Sequence, residues 1–185
     1  MKKEIFIAGL LGGAVIFVWL IISQAILPFR SGMLMNTVDN QKNLHETLKS
    51  EITEPGIYVC PYLPPDATAP FPDYLNEPIY QIIYKGETHS TVAGIFGFPL
   101  LMIFIAPMIA AWMLSVSSEK ILAKYSRRVL FITALGLFLA VFGDLFQLNN
   151  TFATSEFTFF TAGNDIITWA LAGLVIAWKI KPVKV

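Results

Sequence analysis

Two carboxylates lie inside long apolar stretches of the chain, where ionisable side chains are expensive. Asp144 is followed three residues later by Gln147, and Asp165 follows directly after Asn164. Helical spacing would place Asp144 and Gln147 on one face. Carboxylates and amides in an apolar environment can bind a cation, hold a proton or accept hydrogen bonds from a substrate. These four residues are therefore the first candidate site, an intramembrane polar cluster.

The same residues also have a structural explanation. Asn and Asp are favoured at helix N-termini, so Asn164 or Asp165 can cap a short last helix. Asp144 can accept a hydrogen bond from a neighbouring helix, and Arg30 is a candidate charge partner that would neutralise a carboxylate. Both explanations stay open, because the sequence alone does not give the direction of these side chains.

Other site chemistry has little support in the sequence. The single cysteine, Cys60, excludes an intramolecular disulfide and any multi-cysteine metal site. The two histidines, His45 and His89, lack a spacing typical of zinc or copper sites. The chain has no phosphate-binding loop or nucleophile elbow, and its net charge of zero gives no field that attracts nucleic acid. We therefore expect no catalytic residues, no metal, no cofactor and no nucleic-acid partner.

Four apolar stretches must position the candidate cluster. A membrane-spanning helix needs about 20 mostly apolar residues. The stretches that reach this length are Ile5–Ile22 with an extension to Leu27, Val92–Leu114, Val129–Leu148 and a segment within Phe157–Trp178. Only 14% of the residues are charged, against about 25% in soluble domains. We predict an all-α membrane protein with a bundle of four transmembrane helices, the first of which is residues 1–27 and the others within 92–185.

The lysines and arginines outside the first long loop fall on one predicted side of the membrane. They are Lys2, Lys3, Lys120, Lys124, Arg127, Arg128, Lys179, Lys181 and Lys184. Basic residues favour the cytoplasmic side. We therefore predict cytoplasmic termini, a cytoplasmic basic loop at 115–128, and external loops at 28–91 and 149–156. Trp19 and Trp178 lie near predicted span ends, where indole rings favour the membrane interface.

This topology places the two carboxylates at similar depth. With a rise of 1.5 Å per residue, Asp144 lies roughly 24 Å from Arg128, and Asp165 lies roughly 21 Å from Lys179. Because the third and fourth spans are antiparallel neighbours with a short connection, we expect both carboxylates in the outer third of the membrane.

The segment 28–91 is too long for a structureless connection. Asp39-Asn40-Gln41 has the composition of a helix start. An apolar stripe at approximately helical spacing accompanies it: Val38, Leu44, Leu48 and Ile52. Ile57–Cys60 and Ile79–Tyr84 have the composition of short strands. We predict a small external, periplasmic α+β element, which is too small to fold well alone.

Small residues recur at helical spacing in three predicted spans. They are Gly9 and Gly13 in the first span, Gly136, Ala140 and Gly143 in the third, and Ala170, Gly173 and Ala177 in the fourth. Small residues let helix backbones approach closely. We expect them to pack helices within the bundle, with dimerisation as the alternative.

Two segments resemble parts of uncharacterised four-span membrane proteins of bacteria. One is the end of the first span with Ile26-Leu27-Pro28-Phe29-Arg30, and the other is Ala170–Ala177 in the fourth span. The resemblance implies a bacterial cytoplasmic (inner) membrane and brings no activity with it.

Three function hypotheses follow from these features. The first is a non-enzymatic assembly, scaffold or partner-binding protein that uses its external loop and helix faces to bind a second copy or another membrane protein. The second is a small oligomeric transporter or channel that uses the Asp144 and Asp165 cluster. The third, a membrane enzyme acting on a lipid-like substrate, has only the phenylalanine-rich spans in its support.

Overall fold

The fold is built from long helices and one small sheet, and the computed structural model describes residues 2–27, 36–62, 76–86, 92–148 and 154–182. In chain order the elements are α1 (Lys2–Ile21), α2 (Gln41–Glu51), β1 (Gly56–Cys60), β2 (Tyr80–Tyr84), α3 (Val92–Ser115), α4 (Glu119–Leu122), α5 (Tyr125–Leu139) and α6 (Ser155–Lys179). A π-helical segment, Ile22–Ile26, extends α1. A second one, Ala140–Asp144, extends α5 and continues into a 3-10 turn, Leu145–Leu148.

Four helical segments in the described part of the chain are long and apolar enough to cross a membrane. They are Lys3–Gln24, Gly97–Ser115, Tyr125–Leu148 and Ser155–Lys179. Large apolar side chains on these segments, such as Phe98, Leu130 and Phe138, are exposed, and a surface of this kind is suited to lipid rather than water. The predicted set of four such helices with one small sheet is confirmed, whereas their insertion into a membrane stays a prediction.

The chain divides into two compact units, and the larger one, Met1–Met35 with Thr91–Val185, contains all four long helices. Within it, α1 packs between α3 and α6, and α6 packs between α1 and α5. The core consists mainly of small residues with a few larger side chains, among which Leu114, Ile132 and Ile176 are fully buried. Small side chains allow this close packing, which is the usual source of helix association in lipid.

Two glycines of α1 set its distance from α3. A Cβ atom added at Gly9 would lie 2.6 Å from the Met108 Cα atom, and one added at Gly13 would lie 2.4 Å from the Phe104 side chain. Real Cβ atoms do not approach neighbours this closely, so only glycine allows the observed contact between α1 and α3. This face of α1 is used inside the bundle.

The contact between α5 and α6 depends on glycines from both helices. A Cβ atom at Gly136 of α5 would lie 2.5 Å from the Trp169 side chain, and one at Gly173 of α6 would lie 3.3 Å from the Val129 carbonyl oxygen. Ala140, at the start of the π-helical segment, is fully buried. The small faces of α5 and α6 are therefore also occupied by helix packing within the unit.

Gly143 differs from this pattern. A Cβ atom at Gly143 would approach only the Leu139 side chain of its own helix among the described residues. The π-helical segment that begins at Ala140 adds a residue to its turn. This changes the face that later residues occupy, so the regular helical spacing from Gly136 no longer applies at Gly143.

The second unit, Asn36–Ser90, contains α2 and a two-stranded antiparallel sheet. The Asn40 side chain caps α2 by accepting a hydrogen bond from the Asn43 backbone N–H at 3.3 Å. In the sheet, Ile57 is opposite Ile83 and Tyr58 is opposite Ile82. The helix and both strands lie where the sequence predicted them, with bounds that differ by one or two residues.

Candidate functional site

Asp144 lies at the end of the π-helical segment that extends α5. Isolated π turns inside helices are rare and occur frequently at functional sites. The Asp144 Oδ2 atom is buried and makes no hydrogen bond within the described part of the chain. A buried acceptor without a donor costs free energy, and the cost grows when the group is ionised. Asp144 is therefore the side chain of the candidate site whose burial costs the most free energy.

Two side chains of α6 face Asp144. The Thr161 side chain is within hydrogen-bonding range of the Asp144 carboxyl group, and the Asp165 carboxylate is close enough to Asp144 for their charges to interact. The structure therefore places Asp144 and Asp165 within range of each other's charge, across the contact between the π-helical extension of α5 and α6. Asn164 lies beside Asp165 on α6, whereas Gln147 is an exposed residue of the 3-10 turn.

A polar stripe on α6 extends the site, and sequence reasoning missed its threonines. The stripe consists of Thr158, Thr161, Asp165 and Thr168, with steps of three, four and three residues. This spacing places all four on one helical face, and Thr158 and Thr168 are buried. The spacing around Asp165 is the sequence signal that would have identified them.

The threonine hydroxyl groups of the stripe donate hydrogen bonds to backbone carbonyl oxygens of their own helix. Thr158 donates to the Thr154 carbonyl oxygen at 3.1 Å, and Thr168 donates to the Asn164 carbonyl oxygen at 2.7 Å. The one hydroxyl hydrogen of Thr161 has the Phe157 and Thr158 carbonyl oxygens as alternatives to Asp144. The stripe is thus rich in oxygen acceptors and short of donors, a composition suited to a proton or a small cation.

The first helix also contributes to this end of the bundle. The Trp19 Nε1 atom donates to the Asn164 Oδ1 atom at 3.1 Å. Ser23, one turn further along, is buried, and its hydroxyl donates to the Leu20 carbonyl oxygen at 3.4 Å. The Trp19 side chain therefore takes part in packing α1 against α6, whereas Trp178 is exposed.

The positive charges of the described helical unit lie at its other end. The side chains nearest to the carboxylate pair include no described lysine or arginine, because those of this unit lie in the first turn of α1, from α4 to the first turn of α5, or at and beyond the last residue of α6. Arg30, the candidate charge partner from the sequence, lies outside the described residues. Within the described chain, the Asp144 and Asp165 pair is therefore an acidic site without a basic side chain.

Arg128 has a structural position that the sequence did not reveal. It is only 7% exposed, and it donates through Nε to the Ala177 carbonyl oxygen at 3.0 Å and through Nη1 to the Leu122 carbonyl oxygen. Both carbonyls lie in the last turn of a helix, where intrahelical donors are absent. Arg128 thus joins the ends of α4 and α6, and Tyr125 supports it by donating to the Leu174 carbonyl oxygen at 2.8 Å.

The unit Asn36–Ser90 offers a second candidate site, an exposed apolar pair on its sheet. Ile57 is 66% exposed and Ile83 is 67% exposed, and the two are directly opposite one another. Each described strand pairs only with the other, so each has a free edge. No described residue of this unit is buried. A hairpin of this kind is marginally stable in water without a further surface.

Comparison of the chain with protein-family models, with curated proteins and with solved structures gave no match.

Proposed function

We propose that the chain is a non-enzymatic, multi-pass protein of the bacterial cytoplasmic membrane that binds a partner protein through the unit Asn36–Ser90. The observation that carries this proposal is that the unit has a capped helix and a paired hairpin, yet none of its described residues is buried. Secondary structure without a core gains little from apolar burial. A partner surface would supply the missing burial.

The hairpin is the part of the unit best suited to partner binding. Free strand edges present unpaired backbone groups that can pair with another chain. The Ile57 and Ile83 side chains provide an apolar contact on one sheet face. The small-residue faces around Gly9, Gly136 and Gly173 are already occupied inside the bundle. The partner contact proposed here therefore involves the hairpin rather than those helix faces.

The orientation follows from the positive charges. With the basic residues of the helical unit at one end of the four helices, the positive-inside rule places that end in the cytoplasm. Both termini are then cytoplasmic, and the unit Asn36–Ser90 is periplasmic. The partner is accordingly a periplasmic or membrane protein, or a second copy of this chain.

Partner binding is tested by isolating the full chain from its native membrane in a mild detergent. We expect the wild-type protein to migrate above the monomer or to carry a partner in fixed stoichiometry. Ile83→Lys should release the partner, because it replaces an exposed apolar side chain of the proposed contact with a charged one. Gln81→Lys is the matched control, since it adds the same charge to the same sheet face. A wild-type protein that is purely monomeric and without a partner would contradict the proposal.

A second candidate function is transport of a proton or small cation through an oligomer of the chain. The specific observation is the carboxylate pair, in which Asp144 Oδ2 is buried without a hydrogen bond among the described residues and Asp165 lies close by. A bound positive charge would offset the cost of these groups in an apolar surrounding. Oligomerisation is needed because four helices provide little lining for a pathway.

Transport is tested by ion flux into proteoliposomes that contain the full chain. Asp144→Asn combined with Asp165→Asn should abolish the flux, because it removes both negative charges while keeping the side-chain size. Asp39→Asn is the control, since this residue precedes α2 and lies outside the helical unit. Undiminished flux in the double variant would exclude the carboxylate pair as the transport site.

A further inference from the structure

A cavity of about 370 Å³ lies at the end of the helical unit where α1 begins and α6 ends. This volume is at the lower end of the range for small-molecule sites. Its polar lining includes Glu4, Ser115, Lys179 and Lys181, and its apolar lining includes Leu122 and Ile180. The cavity is distinct from the carboxylate pair, which lies toward the other end of α6.

The cavity combines charges of both signs that are not paired with each other. Glu4 is at the start of α1, and Lys179 and Lys181 are at the end of α6 and just beyond it. Within the described residues, no ion pair joins Glu4 to either lysine; the ion pair found there, Lys42 with Glu46, belongs to the other unit. Glu4 and the two lysines line the same cavity, so a ligand in it is offered charges of both signs.

The position of the cavity indicates what kind of ligand it is suited to bind. The ends of membrane-spanning helices lie at the depth of the lipid headgroups. Three exposed apolar residues, Phe6, Val116 and Trp178, are sequence neighbours of lining residues. Acyl chains can lie along such side chains while the headgroup occupies the polar space.

We propose that this cavity binds the headgroup of a phospholipid that carries a phosphate and a primary ammonium group, as phosphatidylethanolamine does. The Glu4 carboxylate accepts hydrogen bonds from the ammonium group. Lys179 and Lys181 neutralise the phosphate, and the Ser115 hydroxyl lies in the same lining. A lining that contains charges of both signs matches a zwitterion better than it matches a purely anionic headgroup.

Arg128 stabilises one wall of the cavity. Its hydrogen bonds to the Leu122 and Ala177 carbonyl oxygens hold α4 against the end of α6. Leu122 lines the cavity, and Ile180, which is almost completely buried, closes it from the side of α6. A wall that is fixed before binding reduces the ordering cost of the complex.

The proposal is tested by native mass spectrometry of the purified full chain with three lipids of identical acyl chains. These are phosphatidylethanolamine, phosphatidylcholine, which lacks N–H donors, and phosphatidylglycerol, which lacks the ammonium group. We expect phosphatidylethanolamine to bind about three- to fivefold more tightly than the other two, the upper part of the range for one partly exposed charge pair. Glu4→Gln should remove this preference, and Lys181→Gln should weaken binding of all three lipids. Lys120→Gln is the matched control, because Lys120 does not line the cavity.

Thermal unfolding, monitored by circular dichroism, verifies that each variant is folded. Equal affinities for the three lipids in the wild-type protein, or an unchanged preference in folded Glu4→Gln, would overturn the proposal. An equal loss in Lys120→Gln and Lys181→Gln would also overturn it, since binding would then reflect general attraction to basic residues. Free phosphoethanolamine that competes as strongly as the lipid would show that the cavity binds a soluble zwitterion instead of a membrane lipid.

Discussion

The indole N–H of Trp19 donates to the side-chain oxygen of Asn164 at 3.1 Å, which joins the first long helix to the last. The two residues are separated by 145 positions in the sequence. Asn164 is adjacent to Asp165, so this hydrogen bond also holds α6, the helix that carries one of the two carboxylates. Removal of this bond should therefore affect the stability of the bundle as well as the position of the pair.

Trp19→Phe should lower the free energy of unfolding by about 1 kcal/mol, the usual contribution of a hydrogen bond between membrane helices. Phenylalanine keeps an aromatic ring but leaves the Asn164 oxygen without its donor. Unfolding by sodium dodecyl sulfate, followed by far-ultraviolet circular dichroism, measures the change. Trp178→Phe is the control, because Trp178 is 60% exposed. Equal losses of unfolding free energy in Trp19→Phe and Trp178→Phe would show that the hydrogen bond to Asn164 does not stabilise the bundle.

Gly9→Ala should lower the free energy of unfolding by about 1–3 kcal/mol, the range for overpacking in a close-packed interior. The added Cβ atom would lie 2.6 Å from the Met108 Cα atom, so α1 and α3 must move apart. Gly97→Ala is the control, since a Cβ atom there meets nothing within 4 Å. The same detergent titration applies, and a Gly9→Ala variant as stable as Gly97→Ala would contradict the close contact.

Arg128→Lys should lower the free energy of unfolding by about 2 kcal/mol. The lysine ammonium group cannot make both hydrogen bonds that the guanidinium group donates in two different directions. The Ala177 and Leu122 carbonyl oxygens would lose their donor. Arg127→Lys is the matched control: Arg127 is exposed and donates to the Lys120 carbonyl oxygen at 2.9 Å. Both variants keep the positive charge, so the charge pattern on which the proposed orientation rests is unchanged. A thermal melt in detergent compares them, and equal melting temperatures would be the contrary result.

Cys60 reports the orientation of the chain without any engineered cysteine, since the sequence has one cysteine and its side chain is exposed. A membrane-impermeant maleimide should label it in spheroplasts before the membrane is permeabilised, because we propose a periplasmic position for the unit Asn36–Ser90. Cys60→Ser is the control for labelling elsewhere. Labelling that requires permeabilisation would reverse the proposed topology.

The elements of the fold were largely predictable from the sequence. Length and apolar composition predicted the four long helices. A membrane-spanning segment must form its backbone hydrogen bonds within itself and contain few charged residues. The helix start around Asn40 and the β-branched and aromatic runs Ile57–Cys60 and Ile79–Tyr84 predicted α2 and the two strands. These are local properties, which neighbouring residues determine without help from distant parts of the chain.

The candidate site was only partly predictable. Asp144 and Asp165 were identified from their cost in an apolar stretch, but the roles of Thr161 and Trp19 depend on which helices are neighbours. The π-helical segment Ala140–Asp144 also changed the face that Gly143 occupies. A pattern with regular helical spacing cannot account for a local change in helix type.

The sequence by itself determined the number of long helices, the concentration of basic residues at one end and the presence of costly carboxylates. Only the tertiary structure decided that Asp144 and Asp165 lie close enough for their charges to interact, that Arg128 joins two helix ends and that the glycine faces are occupied within the bundle. The physical reason is that these spans are apolar on nearly all sides. Hydrophobicity therefore does not select which face packs inward, and the fit of small residues and a few hydrogen bonds makes that choice.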